Sequence, residues 1–461
     1  MLTFNRRGSK PIFDKAFTLA CIFMFALWLA GGASRADASG QVIVRSVAWG
    51  IAILIVLFAK RPSMRFMRPV ALILCGMLAL ALIQLLPLPP QIWQSLPGRN
   101  FLIDAAAGQA QPWRPWSMVP GATANAASSL IVPIVTLLIV AGMGQLGRDR
   151  LPGLLLSTVF ASSIMGLLQF SGAGFDNPFI NDTAGQVSGS FANRNHFALF
   201  LAIGCLLAPV WAFRQKDGIR WRGPIAVGLV LLFILTILAS GSRVGMVVGG
   251  LGLGLGLVIV RQDVVRALRG YPRWVLPAIS FGSILVFGGV VLASIATNRA
   301  ISINRMLVID PSQDMRQRGF STVIEMVRTY FPFGSGLGSF DPIFRMHEPF
   351  KLLKFTYFNH AHNDFIEIIL DTGIAGAALL LAALLWWAVV SLQSWRSTRI
   401  QAETLPRLGS SVVLLVLVAS AFDYPARTPT IMAVLVVAGI WLSSGYLDPA
   451  GSALPGEREH L

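Results

Sequence analysis

The sequence predicts an all-α integral membrane protein with about 12 transmembrane helices and one large, partly helical external loop between helices 9 and 10. Three observations support this class. Of the 461 residues, 55% are hydrophobic and only 13% are charged, whereas ordinary soluble domains have roughly 25% charged residues. The apolar residues form runs long enough to cross a hydrocarbon core of about 30 Å. The Lys and Arg residues stand in short clusters between those runs, a pattern typical of membrane orientation signals.

The predicted spans are separated by short polar connections, and each approaches the length of about 20 residues that a helix needs to cross a bilayer. The first segment follows several basic residues, and Ala36-Asp37-Ala38 resembles a cleavage site, so a signal peptide is an alternative there. An even number of spans with both termini on one side favours a retained helix. The predicted spans are 16–33, 43–59, 69–87, 124–142, 152–170, 196–213, 223–240, 243–260, 275–296, 366–394, 408–423 and 429–446.

The distribution of Lys and Arg predicts that both termini are cytoplasmic, because most of these residues then fall in inner loops. The predicted parts are helices 1–9 with short loops at 1–296, a large periplasmic loop at 297–365, helices 10–12 at 366–446 and a cytoplasmic tail at 447–461. The long loop is also basic, but long loops cross the membrane regardless of their charge.

The net charge of +16 does not indicate nucleic-acid binding, because the cations are spread among the inner loops rather than gathered on one face. Cys21, Cys75 and Cys205 all lie in apolar runs, so neither a disulfide framework nor a cysteine metal site is expected.

The middle spans are nearly free of ionisable residues, whereas an ion-coupled transporter would place some near the bilayer midplane. The few exceptions gather at the predicted outer ends of the helices. Any chemistry is therefore expected on the periplasmic side.

The first polar constellation, at 188–197, is an outer loop that turns into span six. Asn193 or Asn195 is able to cap the helix, and Arg194 is able to reach lipid headgroups. Alternatively, the free backbone N–H groups at this helix start, together with Arg194 and His196, hold an anion.

The second constellation is the tight connection at 240–245, in which Arg243 stands at the outer boundary. Arg243 either anchors to a lipid phosphate or faces an interior cleft and binds a pyrophosphate with two hydrogen bonds. The five glycines between 249 and 256 lie inside a span, where close helix packing explains them better than a nucleotide loop does.

The third constellation is the external loop. Its segment 315–331 has helical periodicity and is followed by a glycine-rich stretch at 332–340, which is either a tight turn or a phosphate cradle. His360 and His362 stand two residues apart just before span ten. Metal binding, a structural role and catalysis are all open for this pair. A catalytic imidazole near an acceptor hydroxyl is typically worth about 10²–10⁴ in rate.

These residues resemble the O-antigen ligase and O-antigen polymerase superfamily of polytopic membrane glycosyltransferases. The family pattern is His, then Asn, Ser or Gln, then nine residues, then Gly-x-x-Gly. Here His362-Asn363 is followed by 364–372 and by Gly373-Ile374-Ala375-Gly376, while Ala377 departs from the Thr of many ligases. The glycine run at 334–338 and the helix start at 193–196 are also similar to members of the superfamily.

The resemblance implies transfer of a glycan from undecaprenyl pyrophosphate to a sugar hydroxyl at the periplasmic face of the bacterial inner membrane, with no cofactor, nucleotide or metal. It implies that His362, with His360 beside it, orients or deprotonates the attacking hydroxyl. The pyrophosphate would be bound by arginines, with Arg243 first, then Arg318 or Arg316, and Arg194. The implied supporting or substrate-binding residues are His196, Asn195, Asn363, Tyr357 and Asp423.

The acceptor stays open at this point. A ligase would transfer a finished polymer to lipid A-core in lipopolysaccharide biosynthesis, and a polymerase would join repeat units of O-antigen, capsule or exopolysaccharide. A third branch glycosylates proteins. An alternative of another class is an exporter or flippase of lipid-linked sugars, although the cationic and imidazole groups gather on the outer side.

Overall fold

The computed structural model describes residues 14–59, 67–105, 109–172, 177–180, 186–214, 219–269, 272, 274, 282, 315–353, 358–397 and 404–444. Regular structure in these ranges is helical apart from one two-stranded antiparallel ladder that pairs Pro87 with Pro115 and Leu88 with Arg114. The mostly helical architecture that the sequence predicts is therefore confirmed. The predicted ninth span, apart from residue 282, and the predicted tail at 447–461 lie outside the described residues.

Fourteen elements of the described ranges precede the large predicted loop. They are α1 (Lys15–Ala30), α2 (Ser39–Phe58), α3 (Arg68–Gln84), β1 (Pro87–Leu88), α4 (Pro90–Trp93), α5 (Asn100–Ala105), β2 (Arg114–Pro115), α6 (Pro120–Ser129), α7 (Ile131–Gly142), α8 (Gln145–Phe170), α9 (Arg194–Phe213), α10 (Ile219–Ser240), α11 (Arg243–Ile259) and α12 (Arg261–Leu268).

The later elements begin with an amphipathic helix and end with two apolar ones. They are α13 (Met315–Tyr330), α14 (Phe340–His347), a 3₁₀ turn (Phe350–Leu352), α15 (Asp364–Arg396), α16 (Thr404–Ser420), a second 3₁₀ turn (Pro425–Arg427) and α17 (Pro429–Ser444). The helix predicted at 315–331 is confirmed as α13.

Six helical stretches in the described residues are long and apolar enough to cross a membrane, and a pair bent by 67°, α11 with α12, would make seven. The helices α1, α3, α16 and α17 are apolar but only 10–17 residues long. Every predicted span except the ninth overlaps one of these apolar helices. The chain is thus a multi-pass membrane protein in its helical composition, while the number twelve and the membrane orientation stay predictions.

Helix α9 forms the centre of the bundle and packs against α8, α10, α11 and α16. It is apolar on all sides, as expected of a helix enclosed by other helices, and 89% of its apolar window is buried. On α11, a Cβ at Gly252 would stand 2.5 Å from the Ala202 carbonyl oxygen, and one at Gly256 would stand 2.8 Å from that of Leu206. Close helix packing, as predicted, explains these two glycines, whereas Gly250 lies on open space.

Helix α15 contains a sharp break at Gly373, where φ is +60° and ψ is −144°. The glycine-rich turn at 332–340 packs into the break, and the Ile374 amide donates to the Pro332 carbonyl at 2.8 Å. A Cβ at Gly373 would lie 1.9 Å from that same carbonyl oxygen. The span predicted at 366–394 lies within α15, and the break at Gly373 is a feature that its hydropathy did not predict. Only glycine accepts this backbone conformation and this close contact.

The break at Gly373 predicts that Gly373→Ala destabilises the protein by about 2 kcal/mol or more, since it combines a left-handed backbone with a steric clash. The measurement is the unfolding temperature of the purified protein in detergent. Gly250→Ala is the matched control, because a Cβ there meets no atom within 4 Å and should change little. Equal unfolding temperatures for the two variants would contradict the assignment of the break to Gly373.

Candidate functional site

The carboxylate of Asp423, in the turn between α16 and α17, is the centre of a polar cluster. Its Oδ1 accepts a hydrogen bond from His362 Nδ1 at 3.1 Å and from the Tyr424 amide at 3.0 Å. Its Oδ2 accepts from the side-chain amides of Asn195 at 2.6 Å and Asn193 at 3.2 Å. Asp423 is only 2% exposed, so these donors replace the water that a buried carboxylate loses. The cluster thereby joins the start of α9, the loop before α15 and the turn before α17.

The charge on Asp423 is stabilised by its neighbours. Burial by itself would raise the pKa of this carboxyl, but the polar interactions with His196 and His362 hold the pKa well below its ordinary value. With its Nδ1–H donated to Asp423, a neutral His362 presents Nε2 as the nitrogen that accepts a proton. The His362 side chain is 16% exposed, so this imidazole is partly accessible.

The backbone of His362 is strained, because its φ of +52° lies in the left-handed region that non-glycine residues rarely adopt. Such a conformation costs on the order of 1–3 kcal/mol and persists only where the surroundings impose it. The next residue, Asn363, caps α15 by accepting from the Ile366 amide at 3.0 Å, and its amide group donates to the Ala421 carbonyl at 3.0 Å. The Asn that follows His362 thus fixes the loop to the end of α16.

Tyr424 lies among the rings of three histidines. Its centroid is 4.2 Å from that of His360, 5.0 Å from that of His362 and 4.9 Å from that of His196. The phenol group exchanges hydrogen bonds with the side chain of Asn359, at 3.2 and 3.3 Å. Tyr424 therefore joins the loop that carries His360 and His362 to the turn that carries Asp423.

The two histidines of the His-x-His pair bind different carboxylates. His360 Nδ1 donates to Glu367 Oε1 at 2.8 Å, and the Ala361 amide donates to Glu367 Oε2 at 2.7 Å. Glu367 Oε1 also lies 3.2 Å from the guanidinium of Arg427, which contacts two further buried carboxylates of α15. No group of three or more His, Cys, Asp or Glu side chains in the described ranges has an arrangement suited to a metal ion.

The ion pairs around Arg427 involve one face of the first part of α15. Its Nε lies 3.3 Å from Asp364 Oδ1, and one terminal nitrogen lies 3.6 Å from Asp371 Oδ2. Burial would lower the pKa of Arg427, but the charges of Glu367, Asp371 and Asp364 raise it above its ordinary value. Burial also lowers the pKa of His360. The charge of Glu367 opposes this decrease, and the charge of Arg427 lowers the pKa further. His360 is therefore held mainly as the neutral imidazole.

The start of α9 contributes the second side of the cluster. Asn193 caps the helix by accepting from the Asn195 amide at 2.8 Å, which confirms the predicted cap. His196 is 1% exposed, and its Nε2 lies 3.6 Å from Asp423 Oδ1, so this side chain points inward rather than toward a solvent anion. Arg194 is half-buried at the first position of the helix. Its proposed contact with an anion stays a prediction.

Arg243 begins α11 next to this cluster. The hydroxyl of Ser242 donates to Asn195 Oδ1 at 2.8 Å and accepts from the Gly245 amide at 2.9 Å, so it caps α11 and joins α11 to α9. Arg243 is exposed and not enclosed in an interior cleft, which was one of the two alternatives for it. The reason is that the residues of α11 that face α9 are Gly245, Gly252 and Gly256, while Arg243 points away from that interface. The contact of Arg243 with a pyrophosphate stays a prediction.

The glycine-rich stretch at 332–340 is a tight turn, and the alternative interpretation as a phosphate cradle is wrong. Its amides are already bound by the protein, because Ser335 N donates to the Leu370 carbonyl and Gly336 N donates to the Asp371 carbonyl. Leu337 N donates to Gln84 Oε1 at 2.9 Å, and Gly338 N to Asp371 Oδ2 at 3.1 Å. The stretch positions the first part of α15 instead of binding an anion.

The loop arginines and Tyr357 receive less structural support. Arg318 donates to the Lys351 carbonyl at 3.3 Å. The side chains of Arg316 and Tyr357 lie outside the described residues. Their predicted roles stay predictions.

Sequence reasoning missed Glu367, Tyr424 and Arg427. Two signals were present. Asp364, Glu367 and Asp371 are spaced so that they share one face of an otherwise apolar helix. The short connection between the last two apolar helices carries an acid, a base and one of only five tyrosines in the chain.

Comparison with known proteins gives one family match. Residues 228–381 match the family model described as O-antigen ligase. The matched segment extends from α10 into α15 and contains Arg243, His360, His362 and the glycine motif, while Asp423 lies beyond it. No curated protein matches the chain at a significant level.

The buried environment of His360 predicts a pH-dependent stability. Its pKa in the folded protein lies below the ordinary value of about 6.5, so the unfolded chain binds the proton more readily. The contribution of His360 is fully present above that ordinary value and is lost as the pH falls through the lower, folded value. We expect acidification from about pH 7.5 to 5.5 to lower the unfolding temperature more in the wild type than in His360→Gln. An equal decrease in both proteins would contradict this assignment.

Proposed function

We propose that this chain, a member of the O-antigen ligase and polymerase superfamily, transfers a glycan from undecaprenyl pyrophosphate to an acceptor sugar hydroxyl at the periplasmic face of the inner membrane. The observation that carries the proposal is the hydrogen bond from His362 Nδ1 to the buried, ionised Asp423. This bond orients the imidazole so that Nε2 is able to accept a proton from a hydroxyl.

In the proposed reaction, the acceptor oxygen attacks the anomeric carbon of the donor glycan and forms the new glycosidic bond. The bond between that carbon and the pyrophosphate oxygen breaks, and undecaprenyl pyrophosphate leaves with the electron pair. The acceptor proton passes to His362 Nε2, and the ionised Asp423 stabilises the resulting imidazolium. Tyr424 and Asn363 act as positioning residues, because they hold the loop in which His362 adopts its strained backbone.

Negative charge on the departing pyrophosphate needs fixed cations. Arg243 and Arg194 stand at the first positions of α11 and α9, where the helix N-termini add partial positive charge. Hydrogen bonds from Ser242 to Asn195 and from Asn195 to Asp423 connect the start of α11 to the cluster around Asp423, which includes His362. Arg318 and Arg316 on α13 are the next candidates for this role.

A ligase reaction onto lipid A-core is the form we propose, with polymerisation of repeat units as the alternative on the same site. Export of lipid-linked sugars is less well supported. The histidines and the carboxylates that bind them cluster at one end of the helices, at the starts of α9 and α15 and the end of α16. Alternating access instead usually uses a polar site near the bilayer midplane.

We expect His362→Ala and Arg243→Ala each to reduce glycan transfer from a purified lipid-linked donor by about 100-fold or more, because the first removes the base and the second removes a cation that stabilises the leaving group. Asp423→Asn should lower kcat far more than KM, since it removes the charge that stabilises the imidazolium and disturbs the orientation of the imidazole.

The matched controls are His347→Ala and Arg345→Ala. His347 contacts Tyr330 and the Ile343 carbonyl, and Arg345 pairs with Asp341 on the surface of α14. Both control variants should retain transfer. Full activity of His362→Ala, with the protein correctly inserted, would remove this residue from the mechanism.

Electrophoresis of surface glycans after deletion of the gene distinguishes the two forms of the proposal. Loss of a ligase strands long chains on the carrier lipid, whereas loss of a polymerase leaves at most one repeat unit on the acceptor. We expect the first pattern. Unchanged glycans of normal length on the normal acceptor would contradict both forms.

A further inference from the structure

A cleft lies beside the small β-ladder, between β2 and the start of α6. Two tryptophans and two arginines line it, and no acidic side chain is among its described lining residues. The full lining is Trp93, Arg99, Leu102, Arg114, Pro115, Trp116, Ser117, Met118 and Pro120. This segment is distinct from the histidine cluster and has no role in the proposed chemistry.

Arg99 places a buried positive charge at the cleft. Its guanidinium donates to the carbonyl oxygens of Pro97 at 2.6 Å, Trp116 at 3.0 Å and Gly334 at 2.9 Å, and the side chain is 2% exposed. Burial lowers the pKa of Arg99 to about 10, while the charge interaction with Tyr330 opposes this, so the group is charged at neutral pH. Its hydrogen-bond partners described here are neutral, and the positive charge is therefore not cancelled by them.

Arg114 supplies a second cation with hydrogen-bonding capacity to spare. Its guanidinium lies over the ring of Trp93, 5.3 Å from the centroid, in a cation–π contact. Its Nε is buried and has no hydrogen-bond acceptor among the described residues. Leaving such a donor unsatisfied is costly, which favours a ligand that accepts its hydrogen bond.

The cleft is held in a fixed position relative to His362. Trp116 Nε1 donates to the Phe333 carbonyl at 3.1 Å, next to the break in α15. Met118, which lines the cleft, packs against the same small hydrophobic core as Ala361, which stands between the two histidines. A group bound in the cleft would thus keep a constant relation to the catalytic loop.

We propose that this cleft, defined by Arg99, Arg114 and Trp116, binds an acidic sugar residue of the glycan through its carboxylate. The inference rests on the proposed glycan transfer and adds a substrate class to it. A uronate offers a planar anion to the Arg114 guanidinium and an apolar ring face to the indole of Trp116. A lipid phosphate shares the negative charge but makes no use of the indole, so we favour the sugar.

The test measures binding of a trisaccharide of galacturonate to the full-length protein in nanodiscs of phosphatidylcholine. Maltotriose is the neutral probe of the same length. We expect the acidic trisaccharide to bind at least about tenfold more tightly than maltotriose, and Arg114→Gln to weaken its binding by about tenfold or more, because a charge-assisted hydrogen bond is lost.

Arg328→Gln is the matched control, since it removes one exposed positive charge from α13, outside the cleft lining, and should leave binding unchanged. Arg114→Lys keeps the charge but lacks Nε and the planar guanidinium, so this variant should also bind the acidic trisaccharide weakly. It replaces Arg114→Gln as the test if the glutamine variant fails to fold. Equal binding of the acidic trisaccharide to the wild type and to a folded Arg114 variant overturns the proposal. Equal binding of maltotriose and the acidic trisaccharide also overturns it.

Nanodiscs of phosphatidylglycerol test the lipid source of the anion. If the acidic trisaccharide binds equally well in these nanodiscs, the cleft is a sugar site. If its binding is lost, the cleft holds a headgroup phosphate and the proposed sugar site is overturned. The two proposals are separable because binding is measured without donor. If the acidic trisaccharide binds but no glycan is transferred, only the proposed function is contradicted. If glycan is transferred but the trisaccharide does not bind, only the proposed sugar site in the cleft is contradicted.

Discussion

The buried carboxylate of Asp423 is the constraint on which the rest of the site depends. A charge removed from water must be met by hydrogen bonds or opposite charge, and here the side-chain donors come from two other parts of the chain, the start of α9 and the loop before α15. The start of α9, the loop before α15 and the turn before α17 must therefore meet at one point. His362 receives its orientation from this requirement, and the helix packing below it keeps the donors in place.

A second constraint acts through Gly373. The break in α15 receives the turn at 332–340, and the amides of that turn bind carbonyl and carboxylate oxygens of α15 and the side chain of Gln84. The segment 364–372 is thereby fixed with its carboxylates facing Arg427. One of these carboxylates, that of Glu367, also binds His360. The glycine motif near His362 thus has a structural role, because it supports the helix start that holds the loop of His360 and His362.

Much of the fold was predictable because membrane spans are encoded locally. A run of apolar residues must be helical in a bilayer whatever surrounds it, and every predicted span but the ninth overlaps an apolar helix in the described ranges. The break at Gly373 and the exposed position of Arg243 were not predictable in this way. Both depend on which neighbour approaches the backbone, and hydropathy carries no information about that.

For the site, the sequence by itself determined the residue types and their positions at the ends of apolar helices. The histidines precede one apolar helix, the asparagines precede another, and Asp423 follows a third. Only the tertiary structure decided the pairing, in which His362 binds Asp423, His360 binds Glu367, and Tyr424 lies between them. The physical reason is that hydrogen bonds form across helix contacts between residues far apart in the chain. Local periodicity fixes which face of a helix a residue occupies, but not which helix lies opposite.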